Sequence, residues 1–163
     1  MSGDRIAAAM ADIPRSLFLP ADQQRFAAAD QALRIGHGAT CSQPSTVVRM
    51  LRLLDPQPGH RVLDVGSGSG WTTALLSVLV APGGAVVGVE LEPALVETGR
   101  ANLARAGAAG ARIVQARAGA LGWPEEGPYD RVLVSAEARS VPPALLDQLA
   151  DGGRLVLPVA GEL

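Results

Sequence analysis

The sequence predicts an α/β fold: a mostly parallel, doubly wound sheet with helices on both faces, preceded by an N-terminal lobe of helix and loop. Three observations lead there. From residue 61 onward, short β-rich runs alternate with longer helical patterns, as in parallel α/β construction. The runs are nearly continuous in Val and Leu, as strands covered on both faces require. Glycine-bearing turns, "PGG" at 82–84, "AGAAG" at 106–110 and "DGG" at 151–153, close the helical stretches.

Taken in order, the upstream segments "IPRSLFLP" and "ALRIGHGATCSQP" read as ordered loop with short helical pieces. "QPSTVVRMLRLLDP" then sets Val47, Leu51 and Leu54 on one helical face and Arg49 and Arg52 away from it, which predicts a helix over about 44–55 lying on the sheet. Strands follow at 61–65, 85–90, 111–116, 129–135 and 154–159, with helices at 70–81, 93–106 and 142–150 between them. No repeat, low-complexity tract or linker interrupts the pattern. One domain over 1–163 is expected, with 1–60 as the lobe and 61–163 as the core.

Composition removes several function classes. A net charge of −2 argues against a nucleic-acid backbone binder. No apolar run approaches the roughly 20 residues that cross a bilayer, and the N-terminus lacks the apolar centre of a signal peptide, so no membrane partner is expected. The single cysteine, Cys41, leaves no disulfide and no CxxC motif, which fits a cytoplasmic location. The two histidines, His37 and His60, stand in no ligand-spaced or G-x-S-x-G context; both read as loop residues, and no metal is expected.

The chemistry concentrates in "VLDVGSGSGWTT" at 62–73. Gly66, Gly68 and Gly70 follow a strand and open a helix, where absent side chains permit a tight turn and close approach of a ligand. Such turns also serve purely structural ends. A dinucleotide fingerprint would place a sixth-position glycine at Trp71, so that pattern fails. Glu90, twenty positions beyond Gly70 at a strand end, stands where doubly wound folds accept ribose hydroxyls, or is a solvated strand-end acid. Asp64 could lie near the turn and attract an amino-acid ammonium, directly or through water.

Together these segments resemble the protein-L-isoaspartate O-methyltransferase family, a Rossmann-like branch of S-adenosylmethionine-dependent enzymes. The resemblance runs from "IPRSLFLP" through "LRIGHGATCSQP", "VLDVGSGSGWTTALLS" and "GVELEPALVETGRANL" to "LGWPEEGPYDRVLVSA" and "PPALLDQLADGGRLVLPV". It implies Ser42 in the catalytic position, and Thr40, Asp64, Gly66, Ser67, Gly68, Gly70, Glu90 and Leu91 around S-adenosyl-L-methionine. An isoaspartyl peptide or protein would be the methyl acceptor. Read from the residues alone, Ser42 stands just before a helix whose first residue is Pro44, where a serine either faces an anion or caps the helix.

Three departures from the family pattern qualify this. Aligned back from "LGWP", an acid expected against the adenine amine is replaced by Ala118, a loss of about 1–2 kcal/mol of binding. "SAEARS" brings Glu137 and Arg139 near the substrate entrance, either as a solvated loop or as a sign of another acceptor. The sequence stops at "LPVAGEL", where the family continues with further strands; the expectation is a shortened or truncated chain, or a homo-oligomer whose second subunit covers the open sheet edge. The readings that follow are isoaspartyl carboxyl methylation, methylation of a different carboxylate, and an inactive cofactor-binding module. A nicotinamide oxidoreductase ranks last.

Overall fold

The computed structural model describes residues 2–159. The first element, α1 (Ser2–Asp12), is a helix that the sequence reading does not anticipate. Its logic is visible in retrospect: Ile6, Ala9 and Ile13 recur at intervals of three and four and are all buried, in a stretch rich in the strongest helix former. The segment read as loop before residue 42 contains a hairpin, β1 (Leu33–Gly36) and β2 (Ala39–Cys41), turning through Gly36, His37 and Gly38 with φ of 90°, 55° and 74°. Leu33 and Ile35 point inward while Arg34 points out. The predicted lobe helix forms as α2 (Pro44–Leu54), with Val47, Leu51 and Leu54 fully buried and Asp55 in the left-handed conformation at its end.

Five parallel strands make the sheet: β3 (Arg61–Val65), β4 (Ala85–Glu90), β5 (Ala111–Gln115), β6 (Tyr129–Val134) and β7 (Leu149–Val156), in the order β5-β4-β3-β6-β7. The order reverses at β3, so the connections leave β3 and β6 in opposite directions and open a crevice at their C-terminal ends. Helices α3 (Trp71–Val80) and α4 (Pro93–Ala106) follow β3 and β4. The predicted helix at 142–150 shrinks to α5 (Pro143–Leu146), and the predicted strand at 154–159 begins earlier. The cause is local: Leu149 already pairs with Tyr129, the chain turns at Gly152 with φ +73°, and pairing resumes between Arg154 and Arg131. Residues 160–163 of "LPVAGEL" lie outside the described residues.

Both sheet faces are covered, but unequally. One carries Val62, Val86, Ile113 and Leu133 under α1 to α4. The other carries Leu63, Val87, Val89, Val114, Val132 and Val134 under Leu145 of α5 and the partly buried Trp123.

The glycine turn is seated against β4 at one narrow point. A Cβ on Gly88 would stand 2.9 Å from the Ser67 Cβ and 3.1 Å from both the Thr73 hydroxyl and Ile113. Gly88→Ala should therefore push the turn off the strand and cost about 1–3 kcal/mol. Urea unfolding checks this; an unchanged midpoint would mean that the turn yields freely.

Candidate functional site

The crevice at the strand ends is a cleft of about 670 Å³. Its floor is Val65, Gly66 and Gly68 after β3; Val89, Glu90 and Leu91 end β4; residues 116–122 after β5 form one wall, Ser135 and Ala136 after β6 another, and Gly38 to Thr40 of the hairpin the lip. A second cavity of about 70 Å³ shares Thr40, Gly66, Gly68 and Ser135 with the cleft. Its remaining lining is polar: Ser42, Ser67, Ser69 and Thr72, with Cys41 and Trp71. Thus a large groove, with apolar and backbone walls, opens beside a pocket that suits a group of a few polar atoms.

Glu90 holds the glycine turn in place. Its carboxylate accepts hydrogen bonds from the backbone N–H of Gly68 (2.8 Å), Leu91 (3.0 Å) and Glu92 (3.1 Å), while Gly66 and Ser67 donate to the Val89 carbonyl. It faces the cleft with acceptor capacity to spare. Leu91 stands beside it, 70% exposed in the wall.

Not every predicted site residue reaches the cleft. Gly70, with φ 94°, lies behind the turn, where a Cβ would meet Ile113 and the Gly99 carbonyl of α4. Ser67 lines the smaller cavity, and its buried hydroxyl has no hydrogen-bond partner among the described residues. Asp64 lies under the floor rather than in a wall: it is fully buried and accepts the Thr73 hydroxyl at 2.7 Å and the Ser135 hydroxyl at 3.3 Å. Of the two expected routes to an ammonium, direct or through water, this burial leaves the indirect one. Ser135, which the sequence reading missed, is the group that connects Asp64 to both cavities. The signal was a hydroxyl directly after an apolar strand at the point where strand order reverses.

Ser42 does not cap α2. The cap position is Gln43, whose side chain accepts from no backbone N–H of the helix, and the Ser45 N–H is taken by Asp30 at 2.9 Å, a bond that holds the Asp30 carboxyl below its usual range. Ser42 is left in the wall of the smaller cavity beside Thr40. Farther along the cleft, Ala118 occupies the wall as the sequence implied, and Arg117 lies 4.3 Å above the Trp123 ring and pairs with Glu125. That wall is fixed from behind by the buried Gln148, whose amide accepts from the Trp123 N–H and donates to the Leu121 carbonyl, both at 2.9 Å. Glu137 and Arg139 are exposed beyond Ala136 and line neither cavity.

Burial raises the Asp64 pKa from 3.8 to about 6, against the lowering effect of its two hydroxyl donors. Between about pH 4 and 6 the folded chain therefore keeps a proton that the unfolded chain has released. Stability at this position falls as pH rises through that window, by up to about 3 kcal/mol, and is level above it. Asp64→Asn removes the titration. In urea unfolding at about pH 4.5 and 7.5 the parent should lose stability relative to the variant at the higher pH. A difference independent of pH would contradict the assignment.

The family model described as protein-L-isoaspartate(D-aspartate) O-methyltransferase matches residues 1–162. Among relatives, a protein-L-isoaspartate O-methyltransferase of Aeropyrum pernix is 50% identical over 155 residues, covering 95% of this chain and 60% of that protein. One of Methanopyrus kandleri is 46% identical over 156 residues, covering 96% and 69%. A solved protein-L-isoaspartate O-methyltransferase superposes with a TM-score of 0.87 at 33% identity, over 96% of this chain and 50% of its own. A beta-aspartate methyltransferase from Plasmodium falciparum, in complex with S-adenosyl-L-homocysteine, superposes with a TM-score of 0.84 at 27% identity, covering 98% and 78%. The chain thus spans 60% of the Aeropyrum relative and half of the first of these structures. Matched by that model along nearly its whole length, the chain belongs to the protein-L-isoaspartate(D-aspartate) O-methyltransferase family.

Proposed function

We propose that this chain binds S-adenosyl-L-methionine and directs its methyl group to the α-carboxylate of L-isoaspartyl residues in peptides and proteins, a repair reaction. The observation that carries the reading is the junction of the two cavities: a nucleoside-sized cleft ending at Glu90 meets, through Thr40 and Ser135, a hydroxyl-lined pocket holding Ser42. The residues fit the cofactor. Glu90 offers acceptors for ribose hydroxyls, the glycine turn leaves room for close approach, and Asp64 puts an acid beneath a site for a cationic ligand.

The bound cofactor supplies a methyl carbon on a sulfonium; a carboxylate oxygen bonds to that carbon as the carbon–sulfur bond breaks, its electron pair going to sulfur. The acceptor carboxylate is already ionised at neutral pH, so the chain needs no strong base. Its task is placement. Ser42 donates a hydrogen bond that orients the carboxylate, and the turn and hairpin lip hold the two reactants in line. The reaction is assigned to the cytoplasm, where the lone buried Cys41 stays reduced. β7, one of the two outer strands of the sheet, is assigned to pairing with a second copy; a monodisperse monomer in light scattering would remove that part of the reading.

Incubation with methyl-labelled S-adenosylmethionine and paired peptides carrying Asp or isoAsp at one position tests the reaction. Base-labile ester should form on the isoAsp peptide alone. Ester on both peptides would indicate a broader carboxylate specificity, and cofactor binding without turnover would indicate an inactive module. Ser42→Ala should lower kcat/KM about 10- to 100-fold, the loss of one hydrogen bond to a charged group. Full activity in that variant would sink the role given to Ser42.

A further inference from the structure

Arg15, in "IPRSLF", is 94% buried in relative terms, at 6% exposure, and no carboxylate among the described residues touches its guanidinium. Its acceptors are five backbone carbonyls: Ala27 (3.3 Å), Ala29 (3.1 Å), Gln31 (2.7 Å), Cys41 (3.1 Å) and Ser42 (2.9 Å). The group also lies 5.4 Å from the centroid of Trp71, the first residue of α3 after the glycine turn, and the Trp71 indole donates to the Ile13 carbonyl. A buried cation bound only by neutral carbonyls is a costly arrangement, and here the buried Nε–H has no partner among the described residues and carries a desolvation penalty of its own. A smaller apolar residue would fill a lobe core without that cost. The planar fork does what an apolar residue cannot: Nη1 holds the Ala27 and Ala29 carbonyls while Nη2 is shared among those of Gln31, Cys41 and Ser42, and the last two bonds fix consecutive carbonyls and with them the direction in which Ser42 leaves β2.

We propose that Arg15 is a positioning residue for Ser42, setting the acceptor side of the site by locking the Cys41–Ser42 backbone while leaving the cofactor cleft untouched. Arg15 lines neither of the two site cavities, so it acts only through the segment that it holds. The inference rests on the methyl-transfer reading above. A lysine keeps the charge but cannot present the planar fork, and a methionine keeps the length without either.

The test compares Arg15→Lys and Arg15→Met with the parent. Both should bind S-adenosylhomocysteine as the parent does and lose about a hundredfold in kcat towards an isoAsp peptide, the scale set by a small misplacement of a reacting group. A cavity of about 350 Å³ lined by Pro14, Ser16, Ala27, Pro44 and Trp71 adjoins Arg15, so guanidinium ion should enter Arg15→Ala and restore part of the lost kcat. A purely structural strut would instead lower thermal stability and spare kcat in the fraction that remains folded. A folded Arg15→Met with kcat near the parent, full activity in Arg15→Lys, or cofactor affinity falling in step with kcat would each overturn the proposal. Hydrogen exchange of the parent decides the matter should the variants fail to fold or the parent transfer no methyl. Amides of 41–46 protected before any ligand is added support the lock, and exchange at free-chain rates overturns it.

Discussion

The site depends on one close approach, that of the glycine turn to β4 and α4. The turn has no side chains at 66, 68 and 70, and the surfaces it meets have none at Gly88 and Gly99, where a Cβ would come within 2.9 Å of the Ser67 Cβ and 3.2 Å of the Gly68 carbonyl. Contact at that range lets backbone replace side chain as the fastening. Gly66 and Ser67 donate to Val89, Gly68 to Glu90, and the Asn102 amide of α4 to the Ser69 carbonyl at 2.9 Å. The same geometry that empties the cleft of side chains therefore fixes its floor, and Glu90 is placed by the bonds that it accepts.

Two buried charges flank that floor and divide the work. Asp64 lies below it and reaches the cavities through the Ser135 hydroxyl; Arg15 lies behind Ser42 and reaches them through main chain. Among the described residues neither is met by a contacting ion of opposite sign, and each is held by neutral dipoles. Dipoles of this kind do not reorganise when a ligand arrives, which is what positioning chemistry requires. Under the proposed reaction, a carboxyl beneath one side of the site and a guanidinium behind the other suit a cationic donor of methyl and an anionic acceptor.

Legibility in the sequence followed the range of the interaction. α4 was predicted to the residue because its ends are local: Pro93 at the start, Glu92 accepting from the Ala94 N–H, and Gly107 with φ 68° at the close. The inner strands were legible as continuous apolar runs. The β1–β2 hairpin was not, since strands of four and three residues around Gly-His-Gly carry only the alternation of Leu33 and Ile35. The burial of Asp64 was in principle readable. Strand periodicity puts it on the same side as Val62, under α3, and not at the strand tip. What no local signal could give was the freedom of Ser42 from capping, because the cap comes from Asp30, fifteen positions before Ser45.

The far end of the cleft shows how a departure from family pattern is absorbed. The wall at 116–122 presents Ala118 where an acid was expected, and among the described residues the ionisable groups lining the cleft are Glu90 and Arg117. Arg117 is already engaged with Glu125 and the Trp123 ring. A base placed beyond a ribose at Glu90 would therefore meet Leu91 and Leu121, 70% and 40% exposed, with backbone between them. Covering such side chains returns about 25 cal/mol for each Å² of apolar surface removed from water, so some 50 Å² offsets one missing hydrogen bond. Affinity at that end then rests on the faces of the base more than on its edge, and the Gln148 brace behind Leu121 matters because it keeps that apolar wall at a fixed distance from Leu91.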